Sequence, residues 1–218
     1  MEIIPFVQFT MNSNFVVRWI VGGLILFIPG VDLFSLGYLS KASRLLMIGS
    51  IGLPTWEKKS EIWMEGLKLV FVLILYEAVP CFLFSFGFFL TSLTSITAFF
   101  GRILIKLSYI AFVLCSFLIP FAFATFSEEL DFRKALEFEK IYRGAKEVLL
   151  PYIGGYIGTL IVLAICLAIV RIPFIGFIIS PILTFYVLLI ATYFFTRLYV
   201  KTSLSATRLP EEPTLNRS

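Results

Sequence analysis

The chain has 218 residues and a net charge of +4; 59% of its residues are hydrophobic and 15% charged, where a soluble domain carries about 25% charged residues. With a mean hydropathy of +0.97, it holds more apolar surface than a globule of this size can hide from water, which excludes an ordinary soluble domain and predicts helices whose solvent is lipid. The absence of histidine removes the commonest metal ligand and general base, and the excess of basic residues falls in connections rather than in a nucleic-acid footprint.

Met1 to Phe15 carries Glu2 and no Lys or Arg, so a cleavable signal peptide, which needs a basic leader, is not expected. The first apolar block runs from Phe15 to about Ile48 and is interrupted at Ile28-Pro29-Gly30. Proline removes a helical donor and glycine frees the backbone, so two helices meeting at a turn are predicted, with Asp32 as N-cap of the second. Each arm would rise roughly 22 to 24 Å, less than the hydrocarbon core of about 30 Å, which gives a short tilted or re-entrant hairpin. Lys41 and Arg44 close it, and the polar connection Gly49 to Ser60 follows. Trp56 beside Lys58 and Lys59 has the chemistry of a headgroup-level anchor.

A third helix begins near Ser60, becomes continuously apolar at Leu67 and passes Glu77 and Pro80 to about Leu90. After a weakly polar turn, a fourth runs from about Phe99 to Phe126, with Arg102 and Lys106 near its start and Pro120 as a kink. The charge-rich stretch that follows spaces Leu130, Ala135, Phe138, Ile141, Tyr142 and Val148 at helical intervals. That spacing predicts an interfacial amphipathic helix over 127–148. Its mixed signs suit a solvated face or a docked cytosolic partner better than anionic lipid. Helices over Tyr152 to Val170 and Phe177 to Val200 flank the break Arg171-Ile-Pro-Phe-Ile-Gly176. The expected fold is all-α: a polytopic helical membrane protein of about six membrane helices, including two Pro/Gly-broken hairpins, in one domain over 1–202, with a polar tail over 203–218.

Glu77 is the most informative single residue, because an ionisable group inside a span is costly and needs a partner. Arg102 or Lys106 at the start of the next helix is the expected one; a proton or cation relay is the functional alternative. Gly154 and Gly158 form GxxxG, which permits close helix approach within the chain or between chains. The surrounding Gly154-Gly155-Tyr156-Ile157-Gly158 lacks the Lys-Ser/Thr of a phosphate loop. Cys81, Cys115 and Cys166 sit singly in apolar runs and read as small buried side chains. No catalytic set, metal cluster or cofactor motif is present in the pattern.

The first half resembles DUF4013, a family of prokaryotic multi-pass membrane proteins of unknown function. Gly22-Gly23-Leu24-Ile25-Leu26-Phe27-Ile28-Pro29 carries the likeness, with Leu36-Gly37-Tyr38-Leu39, Arg44, Leu53-Pro54-Thr55-Trp56-Glu57, Glu65-Gly66-Leu67-Lys68, Tyr76 and Pro80. Where the family usually has Leu-Pro-Glu/Asp-Trp, this chain has Leu-Pro-Thr-Trp. Leu136 to Leu149 also looks like the linker in membrane domains attached to some glycerophosphodiester phosphodiesterases. The resemblance implies a multi-pass membrane domain and no assigned activity.

Positive charge in short loops sets orientation. Arg18, Lys41, Arg44, Lys58, Lys59, Arg133, Lys134, Lys140, Arg143, Lys146, Arg197, Lys201, Arg208 and Arg217 would lie together on one side, against Arg102, Lys106 and Arg171 on the other. Both termini are therefore expected to be cytoplasmic in a cell membrane. The function expected is that of a non-enzymatic scaffold or regulatory partner, in contact with the lipid bilayer and with a cytosolic or membrane protein, and not with nucleic acid. The rival is a small transporter built on the breaks at Pro29 and Pro173, with Glu77 as its ionisable site.

Overall fold

The computed structural model describes residues 7, 10–50 and 52–206. Glu2 and the tail residues Arg208, Pro210, Pro213 and Arg217 lie outside the described residues. From Ser13 onward the helices are α1 (Ser13–Leu26), α2 (Asp32–Met47), α3 (Lys59–Thr91), α4 (Ser95–Glu129), α5 (Phe138–Glu147), α6 (Leu149–Ile169) and α7 (Ile175–Tyr199). Four of them, α3, α4, α6 and α7, are long and apolar enough to cross a membrane. With 14 and 16 residues, α1 and α2 rise about 21 and 24 Å. The expectation of about six membrane helices thus becomes four of spanning length and one short hairpin.

Local chemistry sets most boundaries. The chain turns between α1 and α2 at Gly30, whose φ of +82° suits a residue without a Cβ. Asp32 is not the N-cap: Val31 holds that position with no side-chain cap bond, and Asp32 is the first helical residue. There its carboxylate meets the positive end of the helix dipole instead. Thr94 and Thr97 form a reciprocal capping box that starts α4. Pro80, Pro120 and Pro181 sit inside helices that continue past them.

The continuous amphipathic helix expected over 127–148 is not formed. α4 extends to Glu129, and Leu130 then adopts a left-handed φ of 56°. Asp131 Oδ1 accepts the Arg133 N–H at 2.9 Å, a local bond that competes with helix. A 3-10 turn at Lys134–Leu136 precedes the ten-residue α5. The apolar stripe does not all face lipid either. Ala135, Ile141 and Ala145 are buried with Phe121, Phe126, Tyr152 and Tyr199 in one core cluster, while Phe138 and Tyr142 stay exposed.

A second cluster joins α1, α2 and α7 through Trp19, Tyr38, Phe185 and Leu189. α3 and α4 form the most extensive helix pair. Phe121 meets Tyr152 and Tyr199, so the end of α4, the start of α6 and the end of α7 lie together. The 48–58 loop, α5 and residues 200–206 therefore share one end of the bundle, and the turns at 92–94 and 170–174 lie at the other.

Candidate functional site

The charged end of the bundle is where the side chains of the first half converge. Gly37 and Gly66 let α2 and α3 touch backbone to backbone: a Cβ on Gly37 would stand 1.8 Å from the Ile62 carbonyl oxygen, and one on Gly66 1.8 Å from that of Leu33. Beside this crossing, Arg44 donates to both Glu65 carboxylate oxygens at 2.7 and 2.8 Å, a charge-assisted link from α2 to α3. The 53–56 segment is pinned from three sides. Arg18 donates to Leu53 O at 2.6 Å, Tyr38 Oη to Pro54 O at 3.0 Å, and Lys41 Nζ approaches Thr55 O at 3.5 Å.

Trp56, expected at headgroup level, turns inward. Its ring stacks on Tyr38 with centroids 4.2 Å apart, and its indole N–H donates to Arg18 O at 3.1 Å. The loop folds back on α1, and the indole is satisfied there rather than by headgroups. Lys58 and Lys59 remain exposed, with Lys58 paired to Glu61 at 3.3 Å.

On the same end, α5 is strapped down by the chain that leaves α7. Leu204 covers Gly144. Tyr199 Oη and Ser205 Oγ donate to Glu128 at 2.7 and 3.1 Å, and Tyr76 Oη donates to Ala135 O at 2.8 Å. Ser203 donates its hydroxyl and its backbone N–H to Glu147, which holds that carboxyl below the usual carboxylate range. Glu139, Lys140, Arg143 and Lys146 face outward, exposed. Arg143 pairs with Glu139 and Lys140 with Glu137 along the helix.

Glu77 does not meet Arg102 or Lys106 in an ion pair; among the described residues the ion pairs lie elsewhere. The reason is register. Gly87 and Gly101 approach so closely that a Cβ on Gly101 would be 2.5 Å from Gly87 O. Counted from that contact, Glu77 lies about 15 Å along α3 but Lys106 only about 7.5 Å along α4. Arg102 folds back instead, its Nε–H donating to Ala98 O at 3.2 Å. Glu77 Oε2 is buried with no hydrogen-bond partner, and Cys115 of α4 lies within electrostatic reach.

Gly154 and Gly158 make no close contact: a Cβ on either would meet nothing within 4 Å. They line an open groove between α6 and α7 instead, whereas Gly155 between them packs under Phe194. Of the three cysteines only Cys166 is buried, and Cys81 is exposed on the side of its span, a correction to the reading of all three as buried side chains. Among the described residues, no three His, Cys, Asp or Glu side chains gather in a way that could hold a metal ion.

An all-α bundle with four helices of spanning length and a charged end is the build of a multi-pass membrane protein. The chain belongs to the family described as protein of unknown function (DUF4013), whose model matches residues 20–180. No curated protein and no solved structure matches it. Several of the residues that carry the resemblance meet at the charged end: Gly37 with Gly66, Arg44 with Glu65, and Tyr38 with Pro54 and Trp56. As a site, this pairing was missed in the sequence, although each residue had been singled out there.

Proposed function

We propose that this chain is a non-enzymatic membrane protein that scaffolds or regulates a protein partner, with its charged end in the cytoplasm of a prokaryotic cell. The orientation follows from the basic residues of the 48–58 loop, α5 and the end of α7, against Arg102, Lys106 and Arg171 at the far end. One observation carries the reading. α5 is a short helix whose Ile141 and Ala145 are taken up by the protein core and whose Gly144 is covered by Leu204, leaving Glu139, Lys140, Arg143 and Lys146 outward beside the exposed rings of Phe138 and Tyr142. A fixed face of mixed-sign charges with two aromatic rings among them suits protein recognition better than binding to anionic lipid.

The test is site-specific photo-crosslinking in native membranes from positions Glu139 and Tyr142 on α5, with Ile161 on the lipid-exposed side of α6 as control. A discrete protein adduct from α5 alone, reduced at least fivefold by Arg143→Glu with Lys146→Glu, supports the reading. Lipid adducts alone from every position would overturn it.

A second reading rests on Glu77. A carboxylate oxygen buried in a span without a partner is the mark of an intramembrane ionisable site, which a small transporter would use for a proton or cation. Purified protein in proteoliposomes should then carry a flux that Glu77→Gln abolishes, and no flux under a proton or sodium gradient removes this reading.

A further inference from the structure

A cavity of about 260 Å³ lies where α2, α3, α4, α6 and α7 converge. Leu39, Leu73, Pro120, Phe123, Leu163 and Ala191 are among its walls, and its surface is almost wholly carbon. Five hydroxyl residues stand around it, Ser116, Tyr156, Thr159, Thr192 and Thr196, and three of them are engaged in side-chain pairs. Ser116 Oγ and Tyr156 Oη bond at 2.8 Å, as do Thr196 Oγ1 and Ser43 Oγ. A water molecule needs two to four polar partners, and a surface so largely of carbon favours an apolar guest over water.

An apolar void of about 150 Å³ accepts a benzene-sized guest. By the same ratio this one holds roughly ten carbon atoms. That is the bulk of one alkyl chain segment, too little for a folded peptide or a two-chain lipid. The cavity also has a side entrance. The hydrogen bonds and ring contacts between α4 and α6 join Ser116, Phe117 and Phe121 to Tyr152 and Tyr156. Past Tyr156, no further bond or ring contact of this kind links the two helices among the described residues. There Thr159, Leu160 and Leu163 of α6 line the cavity, and Leu160 is exposed to the surrounding medium. In a protein crossed by four spans, that medium is hydrocarbon.

We infer that this cavity is a binding site for one acyl chain of a bilayer phospholipid, entering between α4 and α6 above the Ser116–Tyr156 bridge. The inference is independent of whether the charged end docks a partner. The chain fills a void that packing forces would otherwise leave unsatisfied, and it joins α6, the least buried of the four spans, to the rest of the bundle.

The experiment reconstitutes the full chain in phosphatidylcholine vesicles with a photoactivatable diazirine on one acyl chain, and maps adducts by proteolysis and mass spectrometry. Adducts on Leu39 or Leu69, which line the cavity and are buried from the outside of the bundle, are the expected result. Adducts confined to outward residues such as Ile161 and Ile165 would overturn the site. The filling variants Ala191→Phe and Leu163→Phe should each lower the interior adducts at least fivefold and leave those at Ile161 unchanged. Should one variant fail to fold, the other and the wild-type map still decide. Interior labelling from a free diazirine fatty acid but not from the phospholipid would overturn the assignment to a bilayer phospholipid.

Discussion

Gly37 and Gly66 at the α2–α3 crossing, and Gly154 and Gly158 on α6, are the same residue in opposite circumstances. At the crossing each glycine is required by a backbone carbonyl that would stand 1.8 Å from its Cβ, and on α6 both glycines face open space. Yet only the second pair has the i, i+4 spacing associated with close helix approach. Spacing along one helix states that a smooth face exists; a close crossing needs a smooth spot on each of two helices, brought together. The first pair supplies one glycine from each helix, and no pattern within either segment announces it.

The largest effect that would sharpen this contrast is expected for Gly66→Ala. Carbonyl oxygen in a backbone cannot step aside as a side chain can, so the two helices must separate, at a cost of about 3 kcal/mol or more. Thermal unfolding in detergent followed by size-exclusion chromatography should show a large fall in Tm or loss of the folded peak. A wild-type Tm would mean that α2 and α3 do not cross at this point.

Next in size is Arg44→Met, which leaves Glu65 largely buried without its two charge-assisted hydrogen bonds. We expect a loss of about 2 kcal/mol, with the double variant Arg44→Met, Glu65→Met milder than the sum of its parts. Strict additivity in that cycle would show the pair to be uncoupled.

Gly154→Ala and Gly158→Ala are expected to leave stability unchanged or raise it by up to about 1 kcal/mol each, because alanine is the better helix former where nothing obstructs it. A fall in Tm at either position would break the comparison and place a close contact on this face.

The smallest effect concerns pH. Glu147 is held below the usual carboxylate range by Ser203, so its contribution is present above the pKa of an unfolded carboxylate and is lost as pH falls through its lowered folded value. The group is exposed, and screening limits the effect to at most about 0.5 kcal/mol. A cysteine placed at Ala206 should therefore become more reactive to a pH-insensitive probe between pH 5 and pH 3, and Ser203→Ala should flatten that dependence.

The charged end shows how far each residue could be read in advance. Arg44, Glu65, Tyr38, Trp56 and Gly66 were all visible as members of a family pattern. Their connections were not visible, because Arg44 and Glu65 belong to different helices and their meeting depends on how the 48–58 loop returns. Trp56 illustrates the cost of judging a side chain by its neighbours in the chain: lysines beside it suggested a headgroup anchor, while Tyr38, far away in sequence, takes the ring. Glu77 was read by which side of the membrane its partners began on, and the Gly87–Gly101 contact moved those partners out of reach.

By itself the sequence determined that α3, α4, α6 and α7 would be long and apolar enough to cross a membrane, that the chain would turn at Pro29 and Pro173, and that most basic residues would gather at one end. Those properties are sums over a dozen or more neighbouring residues, or the behaviour of one backbone, so no distant contact can reverse them. Tertiary structure alone decided which glycines touch, which carboxylate is paired, where Trp56 points and how short α5 is. Each of these depends on the register between segments far apart in the chain, and register is fixed by steric fit across the interface, which neither segment contains alone.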